Sequence, residues 1–494
     1  MSKYKLHPIS AIIHFIKNLK EMIIPLIFII FANGFSFEID GDGIIGDLVP
    51  LIIMSAVLLY ILFNGIIKWL TFQYWFENQE LRIQYGLFVK KRRFIPFDRI
   101  QTLNYKESIF HRPFGLVLVT VETAASSGKA EAEFTAIKKK AAEQIEFEMN
   151  KAKGQTQFIE EEVEKDEHVI FRMSALEQIT LATTSGGIGV IIFGVLTALS
   201  QFAQYAENLP VDWFLDKFSY FVDHVSVLIT SLILIGLMIA WLLSVVWTMI
   251  NYFDFKVILE QERIVITHGL LEKKRTTIPL NRVQAIQIIE NPIRQALGFA
   301  SVRIESAGGG EGEKGLYTSV KLFPLVKKKK MYNSLQQLFP HLVFDVESTK
   351  GYASPRRAKP FFYRLNFIWF IPVVAVASYY LFPYGFLSVL IAVPIVMLGI
   401  WRHKTARAHT SNNQITIVYR HFSKVTFIAE RKRIQVMNMT KSVFQKRRGI
   451  ASASVFVKSG MASSAAIAYH MEQQHIDQLL AWYEQKNDKE IHEL

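Results

Sequence analysis

The side chains best placed to act on something outside the chain are cationic and clustered. Lys90-Lys91-Arg92-Arg93 and Lys273-Lys274-Arg275 stand at the same offset before two copies of an Ile-Pro-x-x-Arg-x-Gln motif. Lys138-Lys139-Lys140 and Lys327-Lys328-Lys329-Lys330 stand where a helix is expected to begin. Near an anionic leaflet each Lys or Arg contributes roughly 1 kcal/mol of attraction, so each cluster is a candidate lipid- or partner-facing patch. Basic residues beside membrane spans also serve only to set topology, and the two readings stay open.

Other chemistry finds less support. The run Gly308-Gly309-Gly310-Glu311-Gly312-Glu313-Lys314-Gly315 lacks the Gly-Lys-Ser/Thr end of a phosphate loop and opens no helix, so it reads as a hairpin tip. His470 and His475 do not share a helix face as a paired metal site requires and read as surface residues where a helix starts. Asn438-Met439-Thr440 is a formal glycosylation sequon without meaning in a cytoplasmic domain. There is no cysteine, hence no disulfide, thiolate metal site or cysteine nucleophile. The expectation is a protein that is not an enzyme and carries no metal and no cofactor. Nucleic acid is not the expected partner, because the aromatic residues do not interleave with the basic runs.

The elements that must position these clusters recur three times. Ile95-Pro96-Phe97-Asp98-Arg99-Ile100-Gln101 precedes Gly115, Ile278-Pro279-Leu280-Asn281-Arg282-Val283-Gln284 precedes Gly298, and Arg431-Lys432-Arg433-Ile434-Gln435 precedes Gly449, with the same Arg-to-Gly interval each time. Gly86 and Gly269 also keep one offset before the motif, where the third copy has Arg420. A β-type run follows each later glycine, and a helix closes each copy. A structural reading explains the recurrence: the glycine takes a positive φ or admits a close approach, and the arginine ties a strand to neighbouring backbone through its fork of donors. The spacing between copies far exceeds the ~20–50-residue period of a solenoid, so other segments lie between them.

Those segments read as membrane hairpins. Of the 494 residues 51% are hydrophobic and 38 are Phe, with a net charge of +13, and the mean hydropathy is +0.21. Spans are expected over Met22 to Phe37, Val49 to Leu70, Ile179 to Phe202, Val227 to Ile250, Phe367 to Phe382 and Phe386 to Trp401, each near the ~20 apolar residues needed to cross the hydrocarbon core. The expected organisation is a cytoplasmic N-terminus (1–20), hairpin 1 (21–70), domain 1 (71–152), a charged linker (153–177), hairpin 2 (178–250), domain 2 (251–346), a basic linker (347–361), hairpin 3 (362–401) and domain 3 (402–486). Gly186, Gly187, Gly189 and Gly194 would let a neighbouring helix approach closely. The interhelical loops carry only Lys217, whereas the N-terminus and the repeats are rich in Lys and Arg. The positive-inside rule therefore places the N-terminus and all three domains in the cytoplasm.

Leu6-His7-Pro8 before the first hairpin, the two Ile-Pro-x-x-Arg-x-Gln motifs and the glycines Gly115, Gly298 and Gly449 make the chain resemble the bacterial pleckstrin-homology-like family of the membrane-flanked type. The resemblance spans nearly the whole chain. It implies a multi-pass α-helical membrane protein with α+β cytoplasmic domains: three copies of a two-helix membrane hairpin, each followed by a PH-like β-sandwich or partly open barrel that a C-terminal helix caps. It implies no reaction, and it implies a companion, a smaller single-repeat relative.

The leading functional expectation is a non-enzymatic protein of the bacterial cell membrane. Its cytoplasmic domains would dock partner proteins or the anionic inner leaflet, with a part in protecting the envelope. The alternative is transport or export of a small or lipidic substrate through six spans. That alternative is weakened by the scarcity of charged residues inside the apolar stretches.

Overall fold

The computed structural model describes residues 3–32, 44–123, 131–152, 168–184, 225–260, 262–307, 319–344, 351–382, 384–411, 413–459 and 462–492. Each repeat has the same element order. The first comprises β1 (Tyr4–Lys5), helices Ile9–Ala32 and Ile44–Thr71, β2 (Gln73–Glu77), β3 (Glu80–Tyr85), β4 (Lys91–Pro96), β5 (Ile100–Ser108), β6 (Leu116–Thr123), β7 (Ala132–Lys138) and helix Lys139–Ala152. The second comprises β8 (Val169–Arg172), helices Ala175–Thr184 and Val225–Asn251, β9 (Lys256–Glu260), β10 (Arg263–His268), β11 (Glu272–Pro279), β12 (Val283–Glu290), β13 (Phe299–Ser306), β14 (Ser319–Lys327) and helix Lys328–Leu338. The third comprises β15 (Tyr352–Ala353), helices Arg364–Tyr380 and Ala392–Thr405, β16 (Arg407–Ser411), β17 (Gln414–Arg420), β18 (Lys424–Glu430), β19 (Ile434–Thr440), β20 (Ile450–Ser459), β21 (Ala462–Glu472) and helix Gln473–His492. The chain divides into two compact units, Met1–Asp166 with Leu271–Pro279, and Glu167–Leu270 with Leu280–Leu494.

In the first unit β1-β2-β3-β4 form one antiparallel sheet. The alternation of Leu81 and Ile83 inward with Arg82 and Gln84 outward is the period-2 pattern of a half-buried strand. The 3-10 turn Phe97–Arg99 carries the chain into a second antiparallel sheet, β5-β6-β7. Leu81, Ile83, Ile95 and Phe97 from one sheet and Val119, Val121 and Phe134 from the other share a core with Ala142, Ile145 and Met149 of the closing helix. Each such side chain contributes about 1.5–3 kcal/mol on burial, and this is what holds sheets and helix together. β11, from the second repeat, also belongs to this unit and pairs antiparallel with β5.

In the second unit β14-β13-β12-β18-β17-β16-β15 form one continuous sheet, in which β18 of the third repeat pairs with β12 of the second. β19-β20-β21 form a separate three-stranded sheet. Phe427, Ile434, Val455 and Val457 pack there with Ile476 and Leu479 of the closing helix. The expected β domains are therefore repeated, but their sheets are not self-contained.

The expectation of six spans in three hairpins is overturned. Among the described residues two helical segments are long and apolar enough to cross a membrane, Leu234–Asn251 and Leu387–Thr405. The physical reasons are local. In helix Ile9–Ala32, Ser10 and His14 are buried and Lys17 reaches Glu133 of β7 at 3.2 Å, so its first turns lie against a β domain. Helix Arg364–Tyr380 has 17 residues, with Pro372 inside it. At 1.5 Å per residue that falls short of the ~30 Å hydrocarbon core. It is followed by 3-10 turns, Tyr384–Ile391, that run on into helix Ala392–Thr405. The span expected over Ile179 to Phe202, its glycines, the charged linker and the Gly308–Gly315 run lie wholly or mostly outside the described residues.

Candidate docking edges and basic clusters

Each basic cluster has a definite place. Lys273, Lys274 and Arg275 lie on β11, facing Glu107, Lys106 and Tyr105 of β5. Glu272 sits between Lys106 and Lys274, with Nζ–Oε1 distances of 2.9 and 3.6 Å. Burial pushes the Glu272 carboxyl up, but hydrogen bonds and charge from Lys106 and Lys274 outweigh this and hold it below its ordinary value. At the head of the closing helix, Lys328 Nζ lies 2.5 Å from Glu290 Oε2. Lys330 donates to the Arg172 carbonyl at 3.3 Å and rests over the Phe171 ring at 4.6 Å, while Lys327 and Lys329 are exposed. Lys90, Lys91 and Arg92 are exposed, and so is Arg93, whose guanidinium donates to the Glu131 carbonyl. The two matched clusters thus differ: Lys273–Arg275 pair across to β5, whereas Lys91–Arg93 pair with β3 alone among the described residues.

The pairing follows a rule. Lys273 and Lys424 hold the same place before Arg282 and Arg433, and Glu107 and Glu290 hold the same place after Arg99 and Arg282. Lys273 faces Glu107 and Lys424 faces Glu290. The fourth strand of one repeat therefore joins the fifth strand of the preceding repeat twice, in one register. Lys424 Nζ lies 3.3 Å from Glu290 Oε1, and the Glu290 side chain is 3% exposed.

The motif residues act mainly through backbone. Arg99, Arg282 and Arg433 each end a 3-10 turn between the two sheets. Arg99 is exposed and Arg433 Nε lies 3.7 Å from Glu430, so the expected tie to neighbouring backbone is not a shared side-chain role. Gln284 Nε2 donates to the Arg282 carbonyl, the Gln435 carbonyl accepts from the Tyr483 hydroxyl, and Gln101 lies at the start of β5. Gly115, Gly298 and Gly449 have φ of +60°, +73° and +62°. A Cβ at Gly115 or Gly298 would meet nothing within 4 Å, so conformation and not space explains these glycines.

Two polar positions escape notice in the sequence because their residue types change. Ser108, Asn291 and Ser442 open the turn before each glycine; Asn291 caps Arg294 N at 2.7 Å, and Ser442 forms a capping box with Gln445. Three residues on, His111 Nε2 meets the Thr135 carbonyl at 2.8 Å, Arg294 reaches Ser301 and Thr184, and Gln445 reaches Ser452 and His470. Constant spacing from the motif arginine was the available signal. These contacts fasten the segment that opens a repeat: Thr135 Oγ1 meets His14 Nε2 at 2.9 Å, His7 N donates to the Ala136 carbonyl at 3.0 Å, and Ser354 Oγ donates to the His470 carbonyl at 2.8 Å. His470 is thus not a surface residue at a helix start. It is half-buried near the end of β21 with φ +50°, and His475 stacks on Tyr352 at 3.8 Å.

Among the described residues no group of His, Asp and Glu is arranged to hold a metal ion. The sequence profile of the bacterial PH domain matches residues 26–153, 188–338 and 367–487. The chain is 34% identical over 495 residues, covering 97% of each chain, to the UPF0699 transmembrane protein YdbT of Bacillus subtilis (strain 168). No solved structure matches it. With a threefold profile match over most of its length and a transmembrane relative aligned end to end, the chain belongs to the bacterial PH domain family.

Proposed function

We propose that this protein is a non-enzymatic scaffold of the bacterial cell membrane, whose PH-like domains face the cytoplasm and dock other proteins through their sheet edges. The observation that carries this reading is the repeated pairing of β11 with β5 and of β18 with β12 in one register. An edge built to receive a neighbouring domain's strand supplies main-chain hydrogen bonds for affinity and side-chain positions for selectivity. Protein docking is favoured over a lipid surface because Lys273–Arg275, the best match to the exposed cluster, lies against β5, with Lys273 facing Glu107 and Lys274 paired to Glu272. The companion we propose is a smaller single-repeat relative. The cytoplasmic orientation rests on the Lys/Arg asymmetry of the chain.

Affinity purification of the tagged full chain from its own membranes, after cross-linking in cells, tests the scaffold reading. A PH-domain companion at fixed stoichiometry is the expected result, and recovery of the chain alone would sink the idea. For orientation, a cysteine replacing the exposed Lys458 should resist an impermeant thiol reagent in intact cells and react after permeabilisation. The absence of native cysteine gives that labelling a clean background.

A further inference from the structure

The two internal junctions define what an unoccupied edge of the same kind lacks. β4 is the first repeat's counterpart of β11 and β18. It is the last strand of its sheet, and among the described residues nothing pairs with its outer edge. Lys91, Arg92, Arg93 and Phe94 are exposed, Phe94 to 53%. Their counterparts on β11 are half-buried at Lys274, Arg275 and Thr277 and buried at Thr276.

Continuing the junction register onto β4 decides between occupants. A second copy of this chain would bring β19, the counterpart of β5 and β12, which likewise has no outer partner among the described residues and exposes Val436 and Met439. That pairing would set Lys441 against Lys90, where the internal junctions set Glu107 against Lys273 and Glu290 against Lys424. Neither β4 nor β19 carries a carboxylate to offset Lys90, Lys91, Arg92, Arg93 and Lys441. Like charges directly opposite one another destabilise a strand pair, and edge lysines discourage self-association.

We propose that the outer edge of β4 receives an antiparallel strand from a different polypeptide, one that carries a carboxylate facing Lys90 in the register of the internal junctions. This rests on the scaffold reading and specifies its site. The cationic edge disfavours the chain's own β19 and selects an acidic strand.

The test uses the full chain in detergent with one thiol, Phe94→Cys. The probe is a synthetic hairpin of residues 283–306 carrying Ile286→Cys, because Ile286 faces Ile428, the counterpart of Phe94, at the internal junction. Disulfide formation should be at least fivefold greater with Glu290 in the probe than with Glu290→Lys, and should fall as salt rises. Adding Lys90→Glu to the chain should reverse that preference. Equal yields from the two probes would overturn the proposal, as would yields no higher than those of an exposed Val443→Cys control. So would disulfides between Phe94→Cys and Met437→Cys copies of the chain. A companion that co-purifies equally with the parent and with Lys90→Glu overturns this site while leaving the scaffold reading intact. Failure to recover any companion with the parent overturns the scaffold reading itself.

Discussion

Strands β4 and β11 lie in one compact unit and carry closely similar side chains, Lys91-Arg92-Arg93-Phe94-Ile95-Pro96 against Lys274-Arg275-Thr276-Thr277-Ile278-Pro279. On β11 the cations meet Glu107, Tyr105 and Glu272 across and along the ladder and are partly covered. On β4 the same kind of run faces outward. A basic cluster is therefore defined less by its own composition than by the strand across from it. Where an acidic edge is supplied it becomes part of the sheet, and where none is supplied it stays a surface.

Occupied and vacant edges should respond very differently to substitution. The largest effect is expected at Glu290, which is buried between Lys328 and Lys424. Glu290→Ala leaves both cations without their carboxylate and should destabilise the second unit by about 3–5 kcal/mol, read as a lowered midpoint in chemical unfolding of the full chain.

The third repeat places a histidine, His470, beside its docked helix segment, as the first places His111 and His14, and acid should test these junctions. Burial, with the charge of Arg364, pushes the His470 imidazole down from 6.5 to about 4. Between those values the unfolded chain binds a proton that the folded chain does not, so stability falls as pH drops from 6.5 toward 4. The full shift corresponds to on the order of 3 kcal/mol. His470→Asn should reduce this dependence in unfolding curves taken across that pH range, and the part that remains belongs to His14, which burial also pushes down to about 4.

Gly298→Val should cost about 1–3 kcal/mol, because φ is +73° and β-branched residues tolerate that region worst. Gly298→Asn should cost less, since asparagine enters the left-handed region more readily. Equal melting of the two variants would show that the conformation is not the constraint. The smallest effect belongs to the vacant edge. Lys90→Ser, at an exposed position, should change stability by no more than about 0.5 kcal/mol. A large loss there would mean that the edge is covered by the chain itself.

Much of the repeat was legible in advance. The motif spacing located three repeats, the alternation of Leu81 with Arg82 marked a strand, and Ile145 and Met149 lie on the buried face of the closing helix as their spacing implies, although Ala142 and not Ala141 joins them there. The span count was not legible. Hydropathy cannot distinguish an apolar helix that crosses lipid from one like Ile9–Ala32, whose first turns carry buried His14 and an ion pair to Glu133. The anchoring positions His111, Arg294 and Gln445 were hidden because different chemistries do one job at one place.

The sequence by itself determined local matters: where several strands and the closing helices run, where the backbone enters the left-handed region at Gly115, Gly298 and Gly449, and which runs are cationic. These depend on side-chain period and backbone sterics within a few residues. Only the tertiary structure decided that β11 and β18 also pair across repeats, with β5 and β12. It likewise decided that Glu290 lies between two lysines and that β4 keeps an open edge. Strand partners are chosen across large sequence separations by complementary edges and a shared core. A backbone edge offers the same donors and acceptors whatever its side chains, so no local pattern names its neighbour.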